Sequence, residues 1–179
     1  VALYAIILFG FGILEFSQLN TIQSGYFKPD SLGVLLLLAL CVIAATVLYY
    51  SYRYMEFFNP DETPRSRGLF FASVIILITA CGLAYLSNHI AVTWIFIEIT
   101  TLSASVLIYH HLNIRALDGA WKYVFICAIS ITFLYVGILF LSLSLKQAGI
   151  EDMTYDSLLK NHDKLNPFWL KLSFLFIFT

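Results

Sequence analysis

A chain of 179 residues that is 60% hydrophobic and 12% charged cannot cover a water-facing surface, because soluble domains carry about 25% charged residues. Mean hydropathy is +0.86, so lipid is the expected surrounding. A net charge of −1 provides no basic field to hold nucleic acid.

A spanning helix needs about 20 mostly apolar residues, and five to six stretches approach or meet that length. In chain order they cover about 1–16, 31–54, 68–86, 90–109, 119–145 and 168–179. Their apolar residues run on without alternation, which excludes strands. The expected fold is all-α: a single polytopic transmembrane helix bundle. No positive region precedes residues 1–14, and Glu15-Phe16-Ser17-Gln18 is no small-residue cleavage site, so the first stretch is not a signal peptide. Val1 is not an initiator and Thr179 falls inside an apolar run; both ends are expected to be cut from a longer chain.

Polar links separate the spans. Residues 17–30, 55–67 and 146–167 are loops, the second rich in turn formers (Asn59-Pro60-Asp61-Glu62-Thr63-Pro64). Asn88-His89 is a tight connection that predicts an antiparallel hairpin, and His110 to Asp118 is a short link. Alternation places 17–30, 88–89 and 146–167 on one side of the membrane and 55–67 and 110–118 on the other. Lys28, Lys146, Lys160, Lys164 and Lys171 then oppose Arg53, Arg65, Arg67, Arg115 and Lys122, five against five. The arginines lie in shorter loops, which leans their side towards the cytoplasm.

Glu98 stands out. It lies eight residues into its span, in Trp94-Ile95-Phe96-Ile97-Glu98-Ile99. An acid at the centre of a membrane helix costs roughly 2.5–3.5 kcal/mol on insertion scales. Such a group either pairs with a cation or holds a proton. Thr101, Ser105 and Tyr109 follow at i+3, i+7 and i+11 on one helix face. They could line a hydrated proton path, or simply bond to backbone as membrane hydroxyls do. Lys122 is a relay candidate, though its depth differs from that of Glu98 and its long side chain could snorkel to the interface instead. Glu15 and Asp30 are expected to be interfacial caps or loop charges. His110-His111 could exchange protons near neutral pH or be merely solvated. Trp94, Trp121 and Trp169 suit interfacial belts.

Cys41, Cys81 and Cys127 each sit alone in an apolar run, without a CxxC or a nearby His. Small apolar fillers are the expected reading, not an iron–sulfur or zinc site. No nucleophile elbow, HExxH, phosphate loop or dinucleotide fingerprint is present. The chain is therefore expected to bind no cofactor itself, and any redox cofactor would belong to a partner.

Several short motifs occur in a suggestive order. They are Tyr26-Phe27-Lys28-Pro29-Asp30-Ser31-Leu32, Tyr50-Ser51-Tyr52-Arg53-Tyr54-Met55, the helix pair around Ser87-Asn88 leading to Glu98, and Ala120-Trp121-Lys122-Tyr123. Over about residues 30–179 the chain resembles the antiporter-like membrane subunits of respiratory complex I, Mrp-type sodium/proton antiporters and group 4 energy-converting hydrogenases. The family's Trp-Glu-Leu core is replaced here by Ile97-Glu98-Ile99, with Trp94 one turn earlier; this pattern looks more like the hydrogenase-4-type branch. The resemblance implies a multi-pass protein of a bacterial or archaeal cytoplasmic membrane, partnered by other membrane subunits of a respiratory or hydrogenase complex. It implies that Glu98 works with a lysine two spans later, expected beyond Thr179, since Lys171 lies too near the start of its span. Proton translocation coupled to redox chemistry is the implied function. Sodium/proton exchange without a redox partner and a static structural role for Glu98 are the alternatives.

Overall fold

The computed structural model describes residues 2–17, 25–57, 63–110, 113–150 and 152–178. Loop positions 18–24 and 58–62, His111, Leu112, Glu151, Val1 and Thr179 lie outside the described residues. Among the described residues seven α-helices follow in order: α1 Ala2–Ser17, α2 Ser31–Phe57, α3 Pro64–Leu86, α4 Ile90–Ile108, α5 Ile114–Gln147, α6 Tyr155–Lys160 and α7 Pro167–Ile177, with a 3-10 turn at His162–Lys164. No sheet forms among the described residues; extended pairing is limited to two isolated bridges. Four helices, α2 to α5, are long and apolar enough to cross a membrane, and α1 and α7 are shorter apolar helices. The bundle is all-α and belongs in a bilayer. Ile6, Leu35, Val42, Ile43, Ile126 and Ile129 all point outward, each more than half exposed, an arrangement that only lipid accommodates at this density.

Several helices start earlier than hydropathy alone places them, and at α3 a capping residue sets the boundary. Thr63 caps α3 by accepting from Ser66 N at 3.3 Å, with Pro64 at the first helical position. Asn113 precedes α5, which already includes Arg115 and Asp118. Within the expected loop 146–167, Thr154 caps the extra helix α6. Asp30 starts α2, its carbonyl accepting from Val34 N at 2.9 Å. Glu15 is not a solvated charge: α1 continues through it to Ser17. Leu8, Gly12 and Glu15 form the packed stripe of that helix, and Glu15 is 4% exposed.

Packing is close where residues are small. Helix association in lipid relies on such contact, since lipid tails are as apolar as leucine. Leu8, Cys41, Ala44, Leu48, Val74 and Ile78 join α1, α2 and α3, and the Tyr4 hydroxyl meets Thr79 Oγ1 at 2.7 Å. A Cβ on Gly137 would stand 2.7 Å from Ile177 Cγ1 and 3.1 Å from Ser173 O, so α5 and α7 nearly touch there.

Three distant segments meet on one side of the bundle. Phe27 bridges Ser87, and His89 bridges Thr154. Asn88 N donates to Tyr26 O at 2.7 Å, Lys28 N to Leu86 O at 3.0 Å and Tyr155 N to Asn88 O at 3.0 Å. Side chains lock the same junction: Lys28 Nζ reaches both Asp156 oxygens at 2.9 Å, and Asn88 Nδ2 donates to Asp156 Oδ2 at 3.2 Å. The Lys28 hydrogen bonds hold the Asp156 carboxyl below its usual range, with Asn88 assisting. A carboxyl depressed in the folded state contributes stability above the unfolded value near 3.9 and loses it as pH falls through the folded value. Asp156→Asn should therefore raise amide hydrogen exchange at Lys28, Asn88 and Tyr155 about fivefold at neutral pH, corresponding to roughly 1 kcal/mol for a partly exposed pair. The difference from wild type should vanish well below pH 4. Unchanged exchange in the variant would show that the backbone bridges hold without the ion pair.

Candidate functional site

Glu98 lies eight residues from the start of α4 and ten from its end, so about 12 and 15 Å from the two helix termini. Helix α4 packs against α3 on one flank and α5 on the other. Between α4 and α5 a cavity of about 230 Å³ opens, lined by Trp94, Glu98, Ala128, Ile131, Thr132 and Tyr135. Glu98 is half-buried. Its Oε2 is shielded and has no hydrogen-bond partner among the described residues.

The cavity wall is held by aromatic contact. Trp94, one turn before Glu98, lies over Tyr135 with ring centroids 5.1 Å apart. Its indole Nε1 donates to Ile131 O at 3.4 Å. Sequence placed Trp94 in an interfacial belt; the structure uses it to span α4 and α5 beside the acid. Thr132 donates its hydroxyl to Ala128 O at 2.6 Å. A hydroxyl has one proton to give, so towards the cavity Thr132 presents lone pairs only. Thr132 and Tyr135 escape a sequence reading, because threonine and tyrosine are common on apolar membrane helices. Their i, i+3 spacing on α5 is the one available signal.

The hydroxyls after Glu98 are turned inward to their own helix. Thr101 Oγ1 donates to Glu98 O at 2.8 Å, and Ser105 Oγ to Leu102 O at 2.7 Å. Tyr109 ends α4 and lines a different cavity, with Arg65 and His110. The structure thus places Thr101 beside Glu98 on the helix but does not bring Ser105 and Tyr109 into the Glu98 cavity. Lys122 is likewise apart. Its Nζ pairs with Asp118 Oδ2 at 2.6 Å, and both side chains are largely exposed. Lys122 lies six residues before Ala128 on α5, about 9 Å along the helix, and Asp118 draws its ammonium further from the cavity. His110 packs on Phe70 at 4.9 Å. Cys41, Cys81 and Cys127 are free thiols on three separate helices.

Chemically the site offers one carboxyl, a nearby hydroxyl acceptor and two aromatic walls. An ionised carboxylate there needs a cation, and none of the ion pairs formed among the described residues includes Glu98.

No protein-family model matches the chain. It is 25% identical over 157 residues to the hydrogenase-4 component F homolog of Methylacidiphilum infernorum (isolate V4), an alignment covering 85% of this chain and 33% of that protein. The chain therefore spans about a third of the length of the curated relative it matches. The four long apolar helices describe an integral membrane protein, one with distant similarity to a hydrogenase component.

Proposed function

We propose that the chain forms part of a proton-translocating, antiporter-like membrane subunit of a multisubunit redox complex, of the NADH:quinone oxidoreductase or energy-converting hydrogenase type. Glu98 is the group that takes up and passes on the proton. One observation carries the reading: a carboxyl at mid-span in a cavity, its inner oxygen unpartnered among the described residues. The distant similarity to a hydrogenase-4 component supports the setting in a larger complex, in which partner subunits hold the electron carriers.

The mechanism is electrostatic. An ionised carboxylate in an apolar span is costly, roughly 2.5–3.5 kcal/mol on insertion scales. A positive charge brought within a few ångströms favours the carboxylate, because opposite charges attract strongly where water is scarce. Electron transfer in a partner that moves such a charge therefore drives proton release, and its return drives uptake. Thr132 presents a hydrogen-bond acceptor to the same cavity, and the Trp94–Tyr135 contact forms its wall. The test is redox-driven proton uptake into vesicles holding the full-length protein and its partners, with and without sodium. Uptake that proceeds without sodium and needs the Glu98 carboxyl is expected. Obligatory sodium exchange, in the absence of any redox substrate, would replace this reading with that of a sodium/proton antiporter.

A further inference from the structure

We propose that the cavity between the first turns of α3 and the end of α4 holds the headgroup of an anionic glycerophospholipid, with its phosphate at Arg65. This cavity measures about 320 Å³, within the range of small-ligand sites, roughly 300–1,000 Å³. It is separate from the Glu98 cavity and shares no lining residue with it.

Its walls divide by chemistry. Arg65, Ser66, Tyr109 and His110 supply polar groups, while Leu69 and Val106 supply apolar surface. Those two apolar side chains are 57% and 48% exposed, so the cavity opens sideways along the outer face of the two helices. Pro64 begins one helix and Ile108 ends the other, which sets the polar part at the level where the spans meet water. A phosphate above two fatty chains has this same division, charged at one end and apolar below it.

Arg65 carries the charge argument. On the same side of the bundle, Arg53 is neutralised by Glu56 at 3.3 Å and Lys122 by Asp118 at 2.6 Å. Arg65 is exposed and joins no ion pair among the described residues. No acidic side chain among the described residues lines the cavity. Arg65 also occupies the first turn of α3, which contains no acid, and a cation there opposes the positive end of the helix dipole. Its position does not serve the helix. A guanidinium suits a phosphodiester, which it can bind through two parallel N–H donors, and the Ser66 and Tyr109 hydroxyls can add donors to the remaining oxygens.

The experiment places full-length protein in phosphatidylcholine nanodiscs with trace spin-labelled phosphatidylglycerol or spin-labelled phosphatidylcholine. The immobilised fraction of each is then measured. Wild type should immobilise phosphatidylglycerol in excess, Arg65→Gln should reduce that excess at least threefold, and Arg53→Gln should leave it unchanged. Arg65→Lys, which keeps the charge, should restore much of it, separating charge recognition from misfolding. Equal immobilisation of the two lipids in wild type, or full selectivity in Arg65→Gln, would overturn the proposal. Displacement of the labelled lipid by inorganic phosphate at matched ionic strength would assign the site to a free anion instead.

Discussion

Glu98→Gln should lower redox-driven proton uptake at least tenfold while leaving the bundle assembled. Glutamine keeps the size and one hydrogen-bonding oxygen of the side chain but cannot bind or release a proton. The substitution also removes the cost of an ion in the span, roughly 2.5–3.5 kcal/mol when ionised, so the variant should be no less stable than wild type. That combination separates the proposed role from a static one. If Glu98 were only half of a structural ion pair, its loss would leave a buried cation unpaired and destabilise the assembly by about 3–5 kcal/mol. Full uptake in Glu98→Gln would remove Glu98 from the transport path. Failed assembly, with normal uptake in whatever complex does form, would make it structural.

The largest effect on stability should come from Gly33→Ala. Gly33 is buried in the first turns of α2, and a Cβ built there would run into the backbone carbonyl of Tyr85 in α3, closer than any real contact allows. A backbone oxygen cannot swing aside as a side chain can, so α2 must move from α3. That movement also strains the adjoining junction, where Lys28 N is tied to Leu86 O at 3.0 Å. Overpacking of this kind costs about 1–3 kcal/mol. Gly68 is the natural control, with nothing within 4 Å of its Cβ position and a place inside α3. Gly68→Ala should be neutral or raise stability by up to about 1 kcal/mol through helix propensity. Thermal unfolding of the full-length protein in one detergent compares the two; equal midpoints for both variants would contradict the close approach of α2 and α3.

What could be read directly from the residues follows from length and polarity. The unbroken apolar runs of α2 to α5 announce membrane helices because only helices and closed barrels satisfy their backbone in lipid, and barrel strands would alternate. Asn88 and His89 announce a hairpin because two polar residues between long apolar runs leave room for little else. Glu98 is visible because a lone acid in such a run is costly. Its surroundings are not visible. Trp94, Thr132 and Tyr135 reach the same cavity through the rotation of α5 against α4, and a helix apolar on all sides carries little periodicity to encode that rotation. Lys28 and Asp156 stand 128 positions apart, so only the folded chain brings them together. The Lys122–Asp118 pair is a different case: its i, i+4 spacing is local and legible, yet a lysine near a membrane acid draws attention to the longer-range partner first. The helix start at Thr63–Pro64 is set by a cap, which hydropathy does not weigh.

The central claim is that the Glu98 carboxyl exchanges its proton with water during function. Infrared difference spectra of the full-length protein, recorded on a pH step in H₂O and in D₂O, test it most directly. A carboxylic-acid C=O band that changes with the step, shifts in D₂O and disappears in Glu98→Gln is the predicted result. A difference spectrum identical in wild type and Glu98→Gln would contradict it.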